Sequence, residues 1–121
     1  MKTILLADDA PHLLVMLRHH LANSTYTIET AASGEEALAA AQAHRIDLML
    51  IDVDLPGIDG IETVRRLKQL PEYAGLPVIV LTGESRNRTR ERAEEAGASA
   101  FFHKPYSPKL LLERVALLLG P

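Results

Sequence analysis

The 121-residue chain has no cysteine and no tryptophan, only two Phe and three Tyr, and no excess of basic residues. Without Cys there is no disulfide framework, which fits a cytoplasmic chain, and without Trp the usual fluorescence readout is missing. The longest wholly apolar runs are a few residues, far short of a membrane span. Near the N-terminus Lys2 is followed by Ile4-Leu5-Leu6-Ala7 and then by Asp8-Asp9, too short and too soon charged for a signal peptide. The net charge of −3 and the lack of a basic face speak against direct contact with nucleic acid. The five His residues, His12, His19, His20, His44 and His103, show no zinc-ligand spacing and read as structural or surface residues. No repeat, linker or low-complexity tract is present. What remains is one ordinary domain over residues 1–121, with 47% apolar and 24% charged residues.

The most informative stretch runs from Leu48 to Gly60. Leu48-Met49-Leu50-Ile51 reads as a strand buried on both faces, and it stops at Asp52, with Asp54 and then Pro56-Gly57 and Asp59-Gly60 behind it. The same pattern of apolar run then acid occurs at 3–7, ending in Asp8-Asp9. A third run, 76–81, ends at Thr82-Gly83, and a fifth strand at 98–103 is closed by Lys104-Pro105. A weaker, β-branched stretch at 26–30 is an expected edge strand. Strand three is expected over 46–51.

Helical patterns lie between the strands. Pro11 opens the first, with Leu13, Leu14, Leu17 and Leu21 at helical spacing, to about residue 22. Ser33 and Glu36 form a capping box for an Ala-rich second helix to about 43. Ile61, Val64, Leu67 and Leu70 give the third one apolar face, and Pro71 stops it. The fourth, expected over 84–96 with Gly97 as its C-cap, is rich in Arg and Glu, and its few apolar residues are mostly Ala, so it should be weakly anchored. The last starts at Ser107-Pro108. Its Leu110, Leu111, Leu112, Val115, Leu117, Leu118 and Leu119 are more than one buried face requires, so some should be exposed as a dimer or partner surface. Five alternations of strand and helix predict an α/β fold, a doubly wound, flavodoxin-like parallel sheet in the order 2-1-3-4-5 with helices on both faces.

In that topology Asp8, Asp9, Asp52, Asp54, Thr82 and Lys104 gather at the carboxyl edge of the sheet, where ligands sit in open α/β folds. So many carboxylates raise one another's pKa values unless a cation intervenes, and hard oxygen ligands suit Mg²⁺. A phosphoryl group bridging the metal and Lys104 fits the charge layout. Each residue also has a plainer reading: Asp8-Asp9 and Asp59 as helix caps, Thr82 as a cap for the fourth helix, Lys104 as a surface lysine, Phe101-Phe102 as core. Glu84 and Arg88 have the i,i+4 spacing of a solvated ion pair.

Taken together, Asp8-Asp9, the Asp52 to Gly60 stretch, Leu-Thr82-Gly and Gly-Ala-Ser-Ala-Phe-Phe-His-Lys104-Pro105 resemble the receiver domains of response regulators in two-component signalling, over essentially the whole length. The likeness is to the single-domain chemotaxis-type regulators. It implies that Asp52 accepts a phosphoryl group from a phosphohistidine on a sensor histidine kinase or histidine phosphotransfer protein. It implies direct Mg²⁺ ligation by Asp9 and Asp52, a water-mediated role for Asp8 and a backbone carbonyl from Asp54. Lys104 and Thr82 would bind phosphoryl oxygens, the Lys104-Pro105 bond would be cis, and Phe101 with Thr82 would be the switch. The change would appear on the surface of helix four, strand five and helix five, serving a partner, an output domain or a homodimer. Such a chain is a self-phosphorylating and slowly self-dephosphorylating switch more than a multiple-turnover enzyme. The acidic Asp54, where that family is variable, and Glu84 are expected to set the lifetime of the phosphorylated state.

Two other readings stand beside it. Asp52-Val-Asp54 after an apolar strand also resembles the nucleophile and general acid of haloacid dehalogenase-type phosphatases, though there that strand usually comes first. The other is a receiver-like interaction domain that is never phosphorylated. The Gly120-Pro121 end suits either a natural single-domain regulator or a receiver with an output domain beyond it.

Overall fold

The structure, a computed structural model, describes residues 2–8, 11–20, 26–83 and 87–120, with backbone only at Pro11 and His20. Its elements are β1 (Thr3–Ala7), α1 (Pro11–His20), β2 (Thr27–Ala31), α2 (Gly34–Ala43), β3 (Leu48–Asp52), α3 (Gly60–Lys68), a short 3₁₀ turn (Pro71–Tyr73), β4 (Val78–Thr82), α4 (Asn87–Ala96), β5 (Ala100–His103) and α5 (Pro108–Leu119). The five strands form one parallel sheet in the order β2-β1-β3-β4-β5, as the alternation of patterns predicts. None of the described helices is long and apolar enough to cross a membrane.

The apolar runs become β1, β3 and β4 because both of their faces are covered. Met49 and Ile51 meet Ala37, Val64, Leu67 and Ala93 from α2, α3 and α4 on one face. Leu48 and Leu50 meet Leu13 and Leu17 of α1 and Leu111, Val115 and Leu119 of α5 on the other. β3 and β4 each extend one residue further than their apolar runs. The cause is backbone pairing: Asp52 stands opposite Leu81 and Thr82 opposite His103, so both polar residues belong to the ladder. At the other end, Ile46 is buried but outside β3, and its N–H donates to the Tyr73 hydroxyl at 3.3 Å. That hydroxyl donates in turn to the Ala41 carbonyl at 2.6 Å, tying the end of α2 to the turn after α3.

Caps behave largely as expected. Ser33 accepts from Glu36 N–H at 3.1 Å, but the Glu36 carboxylate reaches Ala32 N–H and not the N–H of Ser33. Asp59 caps α3 by accepting from Glu62 N–H at 2.8 Å. Gly97, at φ +107°, ends α4, with Gly97 N–H bonded to the Glu94 carbonyl and Ala98 N–H to the Ala93 carbonyl. Ala98, expected in the strand, is therefore part of this cap; Ser99 N–H already donates to the Val78 carbonyl at 2.8 Å, and β5 begins at Ala100. α4 buries only Thr89, Ala93 and Ala96, the thin anchorage its sequence implies. Glu84, one half of the expected Glu84–Arg88 pair, lies outside the described residues, as does the end of the first helix at 21–22.

Gly60 is required by close approach. A Cβ there would lie 2.2 Å from the Asp52 carbonyl oxygen and 3.0 Å from Val53 Cα, both backbone atoms that cannot turn aside. Helix propensity alone would favour Ala at this first turn by up to about 1 kcal/mol. The clash dominates, so Gly60→Ala is expected to destabilise the protein by about 2–3 kcal/mol in urea unfolding. A neutral or stabilising result would refute this packing.

Candidate functional site

The carboxyl edge of the sheet is where the polar ends of four strands meet. Asp8 follows β1, and its N–H donates to the Ala31 carbonyl at 3.2 Å, which extends the β1–β2 ladder by one bond. Asp52 closes β3 and Thr82 closes β4. Lys104 follows β5, held by its own N–H donating to the Thr82 carbonyl at 2.7 Å. Each residue therefore stands on a rigid strand end and not on a wandering loop. The Lys104–Pro105 peptide is cis.

The side chains converge. Lys104 Nζ donates to Asp52 Oδ2 at 2.7 Å and lies 4.0 Å from Asp8 Oδ2. Asp52 Oδ1 accepts from the backbone N–H of Asp54 at 2.9 Å. Asp52 is 4% exposed, and the Asp8 side chain is 1% exposed. Burial by itself would lower the Lys104 pKa. The hydrogen bond and charge of Asp52, followed by the charge of Asp8, outweigh it and hold the ammonium above its ordinary range. Burial also raises the Tyr106 hydroxyl, against the pull of the neighbouring Lys104 charge.

Among the described residues, two nearly buried carboxylates face one ammonium. The donor set is all oxygen and hard, so it fits a hard divalent cation better than a soft one. Among the described residues no three His, Asp or Glu side chains form a cation cluster. Asp9, the third expected ligand, lies outside the described residues, as does Glu84. Asp54 is exposed, and its backbone N–H is the part that touches Asp52.

Thr82 is fully buried. Phe101 stands opposite Val80 in β5, so Thr82 and Phe101 lie on the same face of adjacent strands, two register steps apart. Phe101 is half-buried, packs against the α3–α4 side of the core, and carries the Arg90 guanidinium 5.4 Å above its ring. Phe102, partly buried, packs against the core on the opposite side. Arg92 reaches Asp59 at 3.2 Å, so α4 is linked to the cap of α3. On α5, Leu110 is 57% and Leu117 74% exposed, as the apolar excess of that helix predicts.

One feature escaped the sequence reading. A cavity of about 470 Å³ lies against Lys104, walled by His12, Met16, Pro105, Tyr106 and Pro108. Its walls come from α1 and from the segment after β5, near opposite ends of the chain. No local pattern signals that meeting, and nothing in the spacing of His12 sets it apart from a structural or surface residue.

The family profile for the response regulator receiver domain matches residues 4–116. The alkaline phosphatase synthesis transcriptional regulatory protein PhoP of Bacillus subtilis is 36% identical over 98% of this chain, which covers 48% of PhoP. The chain spans about half the length of the curated relatives of this kind. Among solved structures, a response regulator from Chloroflexus aurantiacus superposes with a TM-score of 0.88 at 36% identity, over 99% of this chain and 98% of the other. The receiver domain of the sensor histidine kinase PA1611 from Pseudomonas aeruginosa, which holds a magnesium ion in its active-site cleft, does so with a TM-score of 0.84 at 27% identity, over 99% and 98%. The phosphatase alternative would put the Asp-x-Asp strand first, whereas here it is third. The match runs from the second residue of β1 into α5 and leaves no strand of the sheet outside it, and the chain belongs to the response regulator receiver family of two-component signalling.

Proposed function

We propose that the chain is a phosphoryl-accepting switch with Asp52 as the acceptor. The observation that carries this is the contact of Lys104 Nζ with Asp52 at 2.7 Å, with the Asp8 carboxylate 4.0 Å from the same nitrogen. An Asp52 oxygen attacks the phosphorus of a phosphohistidine on a sensor histidine kinase or a histidine phosphotransfer protein. The P–N bond breaks, the imidazole keeps the bonding pair, and an acyl phosphate forms. Lys104 moves from the Asp52 carboxylate to a phosphoryl oxygen, and the Thr82 hydroxyl donates to another. Mg²⁺ would be held by Asp9 and Asp52, by Asp8 through water and by the Asp54 carbonyl, and would supply Lewis-acid stabilisation of the phosphoryl charge.

The output follows from packing. As Thr82 turns toward the phosphoryl group it leaves space on the face it shares with Phe101, and the ring moves inward from beneath Arg90. The α4, β5 and α5 surface, with Leu110 and Leu117 exposed on it, then presents a changed face to a partner, an output domain or a second copy.

Incubation with acetyl phosphate and Mg²⁺ is expected to add one phosphoryl group by intact mass, and none in Asp52→Asn. In the same sample the Phe101 ring resonances should shift, and in Thr82→Ala they should not. Labelling of the Asp52→Asn chain would remove the assignment.

Charge balance makes a second test. Lys104→Met leaves two nearly buried carboxylates facing one another. Lys104 itself is partly solvated, so the expected loss of stability without metal is about 1–2 kcal/mol. Millimolar Mg²⁺ should restore more stability to this variant than it adds to the wild-type chain. Equal metal effects on the two melting curves would mean that Lys104 does not compete with the ion, and no effect on either would mean that the acids do not bind it.

Asp54 and Glu84, the acids two positions after Asp52 and Thr82 in sequence, are assigned the lifetime of the acyl phosphate. Replacing them together by Asn and Gln is expected to change the dephosphorylation rate constant several-fold. An unchanged decay, followed by mass after removal of the donor, would end that assignment.

A further inference from the structure

We propose that the cavity beside Lys104 receives the organic part of a small-molecule phosphoryl donor, so that the chain selects acyl phosphates carrying an apolar acyl group. The inference rests on Asp52 being the acceptor and adds to it a substrate class. The cavity volume, about 470 Å³, lies in the range of small-ligand sites. Its location is the main argument, because Lys104 is both a wall of the cavity and the partner of Asp52 at 2.7 Å. The cavity therefore borders the residue that a donor's phosphoryl group would engage.

The chemistry of the walls narrows the ligand. Met16 comes from α1, Pro105 and Tyr106 from the segment after β5, and Pro108 from the first turn of α5. Proline has no N–H, so two of these walls offer ring carbon and no amide that an apolar guest would strand. Met16 adds a pliable thioether that can close on guests of different shape. The Tyr106 hydroxyl, raised by burial, stays protonated and adds no negative charge. Among the described lining residues Lys104 brings an ammonium that also contacts Asp52, and His12 is exposed. A molecule with an anionic head and an apolar body matches this polarity, and an aromatic acyl phosphate has both.

The transfer balances without a further reactant. An Asp52 carboxylate oxygen forms a bond to phosphorus, and the bond from phosphorus to the acyl oxygen breaks. That oxygen leaves with the bonding pair as a free carboxylate. No proton or electron is needed from outside, and the leaving acid is free to diffuse out of the cavity.

The experiment compares benzoyl phosphate with acetyl phosphate on the full 121-residue chain with Mg²⁺, following phosphoryl addition by intact mass over a range of donor concentrations. The half-saturating concentration for benzoyl phosphate is expected to be roughly tenfold lower, the scale of a few carbons buried in an apolar pocket. Met16→Gln, similar in size but polar, should remove most of that advantage and leave acetyl phosphate labelling unchanged. Benzoate, which cannot transfer a phosphoryl group, provides a measurement that needs no variant: it should compete with acetyl phosphate at concentrations where acetate does not. Equal half-saturation for both donors with normal acetyl phosphate labelling would overturn the cavity's role and leave Asp52 as acceptor. An advantage of benzoyl phosphate that persists in Met16→Gln, with no competition by benzoate, would also overturn it, since the preference would then be intrinsic to the donor. Failure of both donors to label Asp52 would remove the acceptor reading and the cavity assignment with it.

Discussion

The contact between Lys104 and Asp52 decides how the carboxyl edge of this sheet can exist. The Asp8 side chain and Asp52 are nearly buried, and taking two carboxylates out of water is costly unless a cation pairs with them. A single ammonium shared between them, 2.7 Å from one and 4.0 Å from the other, offsets part of that cost. It does not neutralise it. The residual negative charge is what a divalent cation would satisfy, and the same ammonium is placed to meet any anion that displaces it from Asp52. The edge pairs its acids with an ammonium that an incoming anion can draw away, and that makes it chemically useful.

The sheet supplies the precision. Asp8, Asp52 and Lys104 come from residues 44 and 52 positions apart along the chain, yet each stands at or just beyond the end of a strand paired to its neighbour by backbone bonds. The Asp8 and Lys104 amides both extend existing ladders, which fixes their positions without any side-chain contribution. Gly60 matters for a related reason: α3 starts directly against the Asp52 carbonyl, so the acceptor strand is braced by a helix that only a residue without Cβ can bring so near. The loop from Val53 to Asp59 is thereby closed back on the strand it leaves, with Gly60 N–H donating to the Val53 carbonyl at 3.0 Å.

Much of this was legible in the chain. Strands buried on both faces read as unbroken apolar runs, and a polar residue at the end of each run marks the carboxyl edge of the sheet; hence the order of the elements and the arrival of Asp8, Asp52, Thr82 and Lys104 at that edge could be read from one sequence. Element ends were less legible, because Asp52 and Thr82 look like terminators while their backbones still pair, and Ala98 looks like strand while it closes a helix. Contacts between distant segments were not legible at all. The Tyr73 hydroxyl that joins Ala41 to Ile46, the Lys2 ammonium on the Leu119 carbonyl and the cavity between α1 and the Tyr106 segment depend on which ends of the molecule meet, and neither propensity nor periodicity records that.

The same edge explains why α4 is held so lightly. β4 and β5 form the far side of the sheet, and a helix packed there through Leu and Ile would lock Phe101 in place. α4 instead offers Thr89, Ala93 and Ala96 to the core and places Arg90 over Phe101 and Arg92 on Asp59, contacts that are solvated and individually worth little. Displacing such a helix exposes little apolar surface, so the opening falls at the low end of the local stability range. A phosphoryl group recruiting Thr82 through one hydroxyl provides only a hydrogen bond's worth of differential free energy, and a ligand-driven shift cannot exceed that difference. A large apolar anchorage on α4 would be beyond its reach. The weak packing of α4 is therefore a requirement of the proposed switch, matched in scale to the interaction that must move it.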